Sequence, residues 1–314
     1  MDKIALLFAG QGAQVLGMGK DLLEADPTVE TWFARANDSL GYKLDEICMN
    51  GPEEELKKTE HAQPAIFLIG WTAFQLLKQR IPQLQVTALA GLSLGEFTAL
   101  TAGGACSFEE GLRLVRQRGL FMQAACEETR GAMAALVGMP ENTVRALCAE
   151  LEVEIANLNC PGQIVISGEA DRIKEACAQA KSQGAKGAVQ LKVAGAYHSR
   201  LMRGAQAKLR GEMADFSLLS PQTPVISNVT AQPHGSPAAI KDLLIRQVTS
   251  PVLWEATIRH LIDAGVTRFI ELGPGSALSG FMKRINPKLP THKVGTASSL
   301  NETVDALQQL DWQA

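Results

Sequence analysis

Residues 89–100 of the chain, LAGLSLGEFTAL, place a serine between two glycines where a strand-like run gives way to a helical pattern. Gly91, Ser93 and Gly95 match G-x-S-x-G, a tight and strained turn in which the residues two positions before and after the serine must lack Cβ atoms. Such a turn exposes the serine hydroxyl and aims the next backbone N–H, that of Leu94, at a developing oxyanion. The stretch predicts a nucleophilic Ser93 in an α/β fold. The alternative is a glycine-rich turn that happens to contain a serine.

Two other apolar runs end in the same way. Residues 3–8 precede the glycine-rich turn AGQGAQ, and residues 268–272 precede GPGSALSG, after which a helical pattern follows. Strands that each run into a glycine turn and then a helix are typical of a mostly parallel sheet. Functional groups in such sheets gather at the carboxyl ends of the strands. We therefore expect the active site at that edge.

The middle of the chain has a different order of elements. Strand patterns at 132–138, 153–157, 163–167 and 188–193 alternate with helical patterns at 141–151 and 169–183. The second and third strands are joined through LNCPG, so the order is β-α-β-β-α-β, the ferredoxin-like plan. We predict a small subdomain over residues 129–194, inserted into a large domain formed by residues 1–128 and 195–314. A cleft between the two is a natural active site.

Composition excludes several classes of protein. Of the 314 residues 46% are hydrophobic and 20% charged, and a net charge of −3 is too small to imply nucleic-acid binding. No apolar run approaches the roughly 20 residues of a membrane span, and the N-terminus reads as a first strand, so we expect a cytoplasmic protein. The six cysteines form no C-x-x-C pair, which gives no indication of a metal site and favours reduced packing residues.

A serine nucleophile requires a base, and the chain has five histidines. His198, in VAGAYHSRLM, follows the strand that closes the predicted subdomain and is the best candidate because it would face the cleft. A structural histidine that caps the next helix is the alternative. The others lie at a helix start (His61), in a turn (His234), on a charged helix (His260) and in a polar connection (His292). No acid stands out between Ser93 and His198 to complete a triad.

Arg118 lies on the apolar face of its predicted helix. At about 100° per residue, the helical pattern over 108–126 has an apolar face that includes Arg118, whereas Arg113 and Arg116 lie outside it. A buried guanidinium needs an anionic partner. That partner is either one of the chain's own carboxylates or the carboxylate of a substrate, to which arginine's planar donors bind in a fork.

Eight strings occur in order along the chain: FAGQGAQ, GLSLGEF, RGLFMQ, NCPGQIVISG, GAYHSRLM, PVISNVTA, IRQVTSPVLW and FIELGPGSALSGFMKRI. They extend from residue 8 to about residue 285, and together they closely resemble the bacterial malonyl-CoA:acyl carrier protein transacylases. The resemblance implies an α/β fold with a hydrolase-like, mostly parallel core and an inserted ferredoxin-like subdomain.

The resemblance also implies residue roles. Ser93 would carry the malonyl group as an ester, His198 would be the general base and then acid, and Arg118 would hold the malonyl carboxylate. The further implied roles are oxyanion donation by the backbone N–H groups of Gln11 and Leu94, orientation of the histidine by the backbone carbonyl of Gln247, and substrate contact by Tyr197 and Asn157.

The implied reaction is ping-pong transfer from malonyl-CoA to the phosphopantetheine thiol of acyl carrier protein in fatty acid synthesis, without a metal or bound cofactor. We expect a monomer. Candidate docking patches for an acidic carrier are Arg200, Arg203, Lys208 and Arg210, and Lys283, Arg284 and Lys288, although clustered charges are usually a solvated face.

Two positions depart from related patterns. Leu92 replaces the usual histidine before the serine, and Tyr197 stands where malonyl-selective polyketide acyltransferases tend to have phenylalanine. A large ring there should still exclude an α-methyl branch. The rival functions are a polyketide-type acyltransferase, an acyl hydrolase of carrier proteins, which tends to lack the arginine, and a non-catalytic carrier-protein binding module, which would lack Ser93 or His198.

Overall fold

The computed structural model describes residues 2–310. Residues 1 and 311–314, at the ends of the predicted large domain, lie outside the described part. Within it, no helix is both long and apolar enough to cross a membrane.

The first sheet has four strands in the order β2-β1-β7-β8, all parallel. They are β1 (Ile4–Phe8), β2 (Val86–Gly91), β7 (Arg268–Leu272) and β8 (Thr291–Val294). The first of them, β1, is buried along its whole length, as expected for a central parallel strand covered on both faces. Because β1, β2 and β7 pair in register at their carboxyl ends, the glycine turns that follow them meet at one edge.

Helices lie on both sides of this sheet, some against its strands and others against neighbouring helices. They are α1 (Lys20–Ala25), α2 (Thr28–Leu40), α3 (Leu44–Asn50), α4 (Glu53–Lys57), α5 (Thr59–Arg80), α6 (Leu94–Ala102), α7 (Phe108–Glu128), α10 (Arg203–Asp215), α11 (Pro237–Gln247), α12 (Trp254–Asp263), α13 (Ala277–Ile285) and α14 (Ala297–Gln308), with a 3₁₀ turn at Arg200–Met202. The long helix α5 is buried over most of its length and packs against α7, which carries Arg118.

The second sheet is separate and antiparallel, with the order β4-β5-β3-β6. Its elements are β3 (Gly131–Val137), α8 (Glu141–Glu150), β4 (Glu154–Cys160), β5 (Gln163–Glu169), α9 (Ala170–Ser182) and β6 (Gly187–Gln190). On β3, Ala132, Ala134 and Leu136 join a core with α8 and α9, while Met133 between them packs on the main core. The predicted fold class is confirmed; the domain boundaries remain predictions.

Three local predictions were wrong. The connection between the second and third strands of this sheet is only Pro161 and Gly162, because Cys160 already pairs with Gln163 and Gly162 takes the φ of 70° that closes the hairpin. Strand β6 ends at Gln190, since the chain then leaves the sheet toward the cavity described below. His292 lies within β8, where its Nε2 accepts a hydrogen bond from Arg268 Nη1 at 2.7 Å.

Candidate active site

Ser93 lies in a strained turn between β2 and α6. Its φ is 53° and its ψ −103°, a combination that costs free energy and is kept only where the surroundings enforce it. A Cβ on Gly91 would lie 1.9 Å from the carbonyl carbon of Gly95, and one on Gly95 would lie 2.2 Å from the carbonyl oxygen of Phe8. The two glycines are therefore required for the turn to close against β1.

The side chain of His198 contacts the serine. Its Nε2 lies 2.8 Å from Ser93 Oγ, and its Nδ1 lies 2.8 Å from the backbone carbonyl oxygen of Gln247. A carbonyl can only accept, so Nδ1 carries the proton and Nε2 offers its lone pair to the serine hydroxyl. Burial, and secondly the positive charge of Arg118, lower the pKa of His198 to about 4. The imidazole is therefore neutral at pH 7 and can accept a proton from the serine.

Arg118 is 1% exposed and has no carboxylate within ion-pair distance in residues 2–310. Its Nη1 donates to Gln63 Oε1 at 2.7 Å, and its Nη2 donates to Ser93 Oγ at 3.0 Å and to Gln247 Oε1 at 2.9 Å. The Nε is buried without a partner in the part of the chain described. Burial lowers the pKa of Arg118 to about 10, against the opposing charge of Glu96. The internal ion pair considered from the sequence is absent there, and the cation lies beside the serine.

The backbone N–H groups of Gln11 and Leu94 make no hydrogen bond within residues 2–310. Leu94 is the first residue of α6, where an N–H has no acceptor within the helix and carries the positive end of the helix dipole. Gln11 follows the carboxyl end of β1 and shares the cavity with Ser93. Both groups are available to an anionic oxygen.

Ser93 opens into a cavity of about 240 Å³ between the two sheets. Its polar wall includes Gln11, Asn157, Asn159, Tyr197 and His198, and its apolar wall includes Leu92, Met122, Met133, Val165, Leu191, Val193 and Phe281. The Tyr197 hydroxyl lies 2.6 Å from Thr59 Oγ1 and accepts from Gln11 Nε2 at 3.2 Å. Burial raises the pKa of Tyr197 to about 12, so the phenol is neutral. Of the predicted site residues, Gln11, Ser93, Asn157, Tyr197 and His198 line this cavity. Leu94, Arg118 and Gln247 do not line it: Leu94 follows Ser93 in the chain, Arg118 contacts Ser93, and Gln247 contacts His198.

Leu92 takes no part in the polar network through its side chain, which lines the cavity. Its backbone stabilises the turn: the N–H donates to the carbonyl of Phe8 at 3.1 Å, and the carbonyl accepts from Gly95 N–H at 2.9 Å. The shape of the turn thus does not depend on the side chain at this position.

Several polar residues at the site were missed from the sequence. Gln63 on α5 holds Arg118, and the Asn228 side chain accepts from Ser93 N–H at 2.6 Å and donates to the carbonyl of Gly91 at 2.8 Å. Glu96 and His234, both with fully buried side chains, form a pair at 2.7 Å. Only Glu96 had a local signal, since a charged residue three positions after the serine lies in an otherwise apolar helix. No group of three His, Cys, Asp or Glu residues that could hold a metal ion occurs within residues 2–310.

Comparison with known proteins gives concordant results. Residues 5–294 match the family model described as an acyl transferase domain. The malonyl CoA-acyl carrier protein transacylase of Bacillus subtilis (strain 168) is 41% identical over 314 residues, covering 98% of each chain. The crystal structure of an acyl-carrier-protein-S-malonyltransferase from Bartonella henselae matches with a TM-score of 0.93 and 37% identity, covering 98% of this chain and 99% of the other.

A further solved structure is a type II PKS acyl-carrier protein in complex with its malonyl-transacylase. It matches with a TM-score of 0.93 and 37% identity, covering 97% of this chain and 99% of that one.

Proposed function

The chain belongs to the family of the malonyl CoA-acyl carrier protein transacylases, and from this premise we propose that it transfers malonyl from malonyl-CoA to the phosphopantetheine thiol of an acyl carrier protein, for fatty acid synthesis. The observation that carries the proposal is the environment of Arg118: a buried guanidinium without a carboxylate partner in residues 2–310, 3.0 Å from the serine hydroxyl. A substrate that carries both a thioester and a free carboxylate supplies the anionic partner that the guanidinium lacks.

Acylation begins when Ser93 Oγ attacks the thioester carbonyl of malonyl-CoA while His198 Nε2, 2.8 Å away, takes the hydroxyl proton. The carbonyl oxygen becomes an oxyanion, which the N–H groups of Gln11 and Leu94 stabilise. The C–S bond then breaks, and the CoA thiolate leaves with the proton that His198 returns. The product is a malonyl ester on Ser93, with the malonyl carboxylate held by Arg118.

Deacylation repeats the chemistry with a thiol in place of the serine. His198 takes the proton of the carrier's phosphopantetheine thiol, whose sulfur attacks the ester carbonyl. The bond to Ser93 Oγ breaks, and the proton returns to that oxygen. Neither half-reaction needs a bound cofactor. Transfer to a thiol requires that water be poorly placed at the ester, which the apolar walls formed by Met122, Met133 and Phe281 favour.

The cavity walls support selection of the acyl group. The Tyr197 ring is fixed by its hydroxyl contacts with Thr59 and Gln11, and Leu94 is fully buried at the start of α6. A fixed ring leaves little room for an α-methyl branch, so we propose that the enzyme prefers malonyl over methylmalonyl. Asn157 lines the same cavity and is assigned a contact with the substrate.

Of the two basic patches, we propose that Lys283, Arg284 and Lys288 receive the acidic carrier protein. All three are exposed, and none has an ion-pair partner in the described residues. Phe281, on the same helix α13 as two of them, lines the cavity. In the other patch, Arg200 pairs with Glu154 and Glu169, and Lys208 approaches Glu128. We further propose a cytoplasmic monomer.

The deciding experiment measures the covalent intermediate. The purified protein is incubated with malonyl-CoA, quenched in acid and weighed by intact mass spectrometry beside Ser93→Ala. We expect a gain of one malonyl group that is absent from the variant and disappears when holo acyl carrier protein is added. Release of free malonate without an adduct would identify a hydrolase, and neither adduct nor turnover would leave the non-catalytic binding module.

A further inference from the structure

Glu96 is a fully buried carboxylate that the mechanism above does not use. It lies on the first turn of α6, three residues after the nucleophile. Its Oε1 accepts a hydrogen bond from His234 Nε2 at 2.7 Å, and its Oε2 accepts from Gln247 Nε2 at 2.6 Å and from the backbone N–H of Asn228 at 3.1 Å. A buried carboxylate with three donors is a fixed anchor, since displacing any donor leaves a charge unsatisfied.

The first arm of this anchor is the side-chain amide of Gln247. Its Nε2 donates to Glu96 and to the carbonyl oxygen of Ser93 at 2.9 Å, and its Oε1 accepts from Arg118 Nη2 at 2.9 Å. Only one amide orientation is possible here, because the carboxylate and the carbonyl can only accept and the guanidinium can only donate. Glu96, together with the carbonyl oxygen of Ser93, therefore determines which end of the amide faces Arg118.

The second arm is Asn228. Its backbone N–H donates to Glu96, while its side chain holds the turn of the nucleophile at both ends, through the N–H of Ser93 and the carbonyl of Gly91. The two arms link one carboxylate to the serine turn and to the arginine beside it. His198 joins the same assembly, because the backbone carbonyl of Gln247 accepts its Nδ1–H.

We propose that Glu96, braced by His234, is the positioning residue of the active site. It orients the Gln247 amide so that Arg118 is held by a neutral acceptor with its charge unpaired and directed at the acyl substrate. Direct contact between Glu96 and Arg118 would form an internal ion pair and occupy the guanidinium, and the Gln247 amide between them prevents it. The carboxylate of Glu96 still lies near enough for its negative charge to favour the buried cation. The assignment rests on the proposed function.

The test compares malonyl-CoA with acetyl-CoA, which has no carboxylate. For the wild type and Glu96→Ala, kcat/KM is measured with both substrates, per mole of enzyme that acylates in a single turnover. We expect both values to fall, because Ser93 and His198 lose support, and the malonyl-to-acetyl ratio to fall by about tenfold, roughly the effect of one hydrogen bond to a charged group. An unchanged ratio overturns the assignment.

Two further variants of the chain serve as controls for this test. Glu96→Asp retains the charge but withdraws it by one methylene from Gln247; if the alanine variant does not fold, the ratio of this variant decides, with a fall of at least about threefold expected. Leu147→Ala removes a buried side chain from the core under the second sheet and should lower the melting temperature without moving the ratio. If the wild type itself shows no preference for malonyl, the proposed function fails; if it shows one that Glu96 variants retain, only the present inference fails.

Discussion

Replacing Arg118 with alanine separates binding of the substrate carboxylate from the acyl-transfer chemistry. The guanidinium is 1% exposed and lacks a carboxylate partner in the described chain, so the malonyl carboxylate would be its first anionic partner. A hydrogen bond to a charged group contributes about 1.5–3 kcal/mol, and a two-pronged contact therefore about 3–6 kcal/mol. At 1.4 kcal/mol per tenfold, kcat/KM for malonyl-CoA should fall by about 10²- to 10⁴-fold.

Acetyl-CoA supplies the comparison, because it has the same thioester but no carboxylate. With it, Arg118→Ala loses no contact to a substrate carboxylate, only the internal hydrogen bonds to Ser93, Gln63 and Gln247, and kcat/KM should change by no more than about tenfold. The assay follows release of the CoA thiol, normalised to the acyl-enzyme formed in a single turnover, so that misfolded protein does not count. The matched control is Arg113→Ala, an exposed arginine of the same helix whose Nη1 lies 3.5 Å from Ser39 Oγ. Equal losses of kcat/KM with both substrates would refute the role of Arg118 in binding the malonyl carboxylate.

The remaining predictions concern pH and the carrier protein. The pKa of His198 is lowered to about 4, so the acid limb of kcat/KM for malonyl-CoA should lie near pH 4; a limb near 6.5 would contradict the buried neutral imidazole. Because the unfolded state binds this proton more readily, the free energy of unfolding should fall as the pH decreases from about 6.5 to 4, by up to roughly 3 kcal/mol in urea titrations. Arg284→Glu should raise KM for acyl carrier protein severalfold, whereas Arg203→Glu, in the other basic patch, should not; equal effects would count against docking at α13.

The nucleophile turn could be predicted from sequence because its requirements are local. Backbone atoms lie so close to Gly91 and Gly95 that a Cβ on either residue would clash with them. The need for glycine at both positions therefore shows in the sequence as the spacing around Ser93. The order of strands and helices was visible for the same reason, through apolar periodicity and glycine turns. Strand ends were less predictable, as at β6, because the point where the chain leaves a sheet depends on what it next packs against.

The support beneath the site could not be predicted from local patterns. Gln63, Glu96 and Asn228 lie on three separate segments, and each is recognisable as functional only once the fold brings it to Arg118 or Ser93. A glutamine in a helix and an asparagine in a loop are ordinary residues in sequence. The sequence around His234 likewise predicts only a turn, although the side chain is buried against Glu96.

The lack of an acidic partner for His198 follows from the same arrangement that leaves Arg118 unpaired. A carboxylate at Nδ1 would stabilise the imidazolium, but it would also place a buried anion close to the unpaired guanidinium of Arg118, and the two would attract each other. The backbone carbonyl of Gln247 fixes the same tautomer without a charge, at 2.8 Å. Its side chain, 2.9 Å from Arg118, keeps Glu96 from direct contact with the cation. One residue thus orients the base and keeps the guanidinium free, which a site must do if the anion it binds belongs to the substrate.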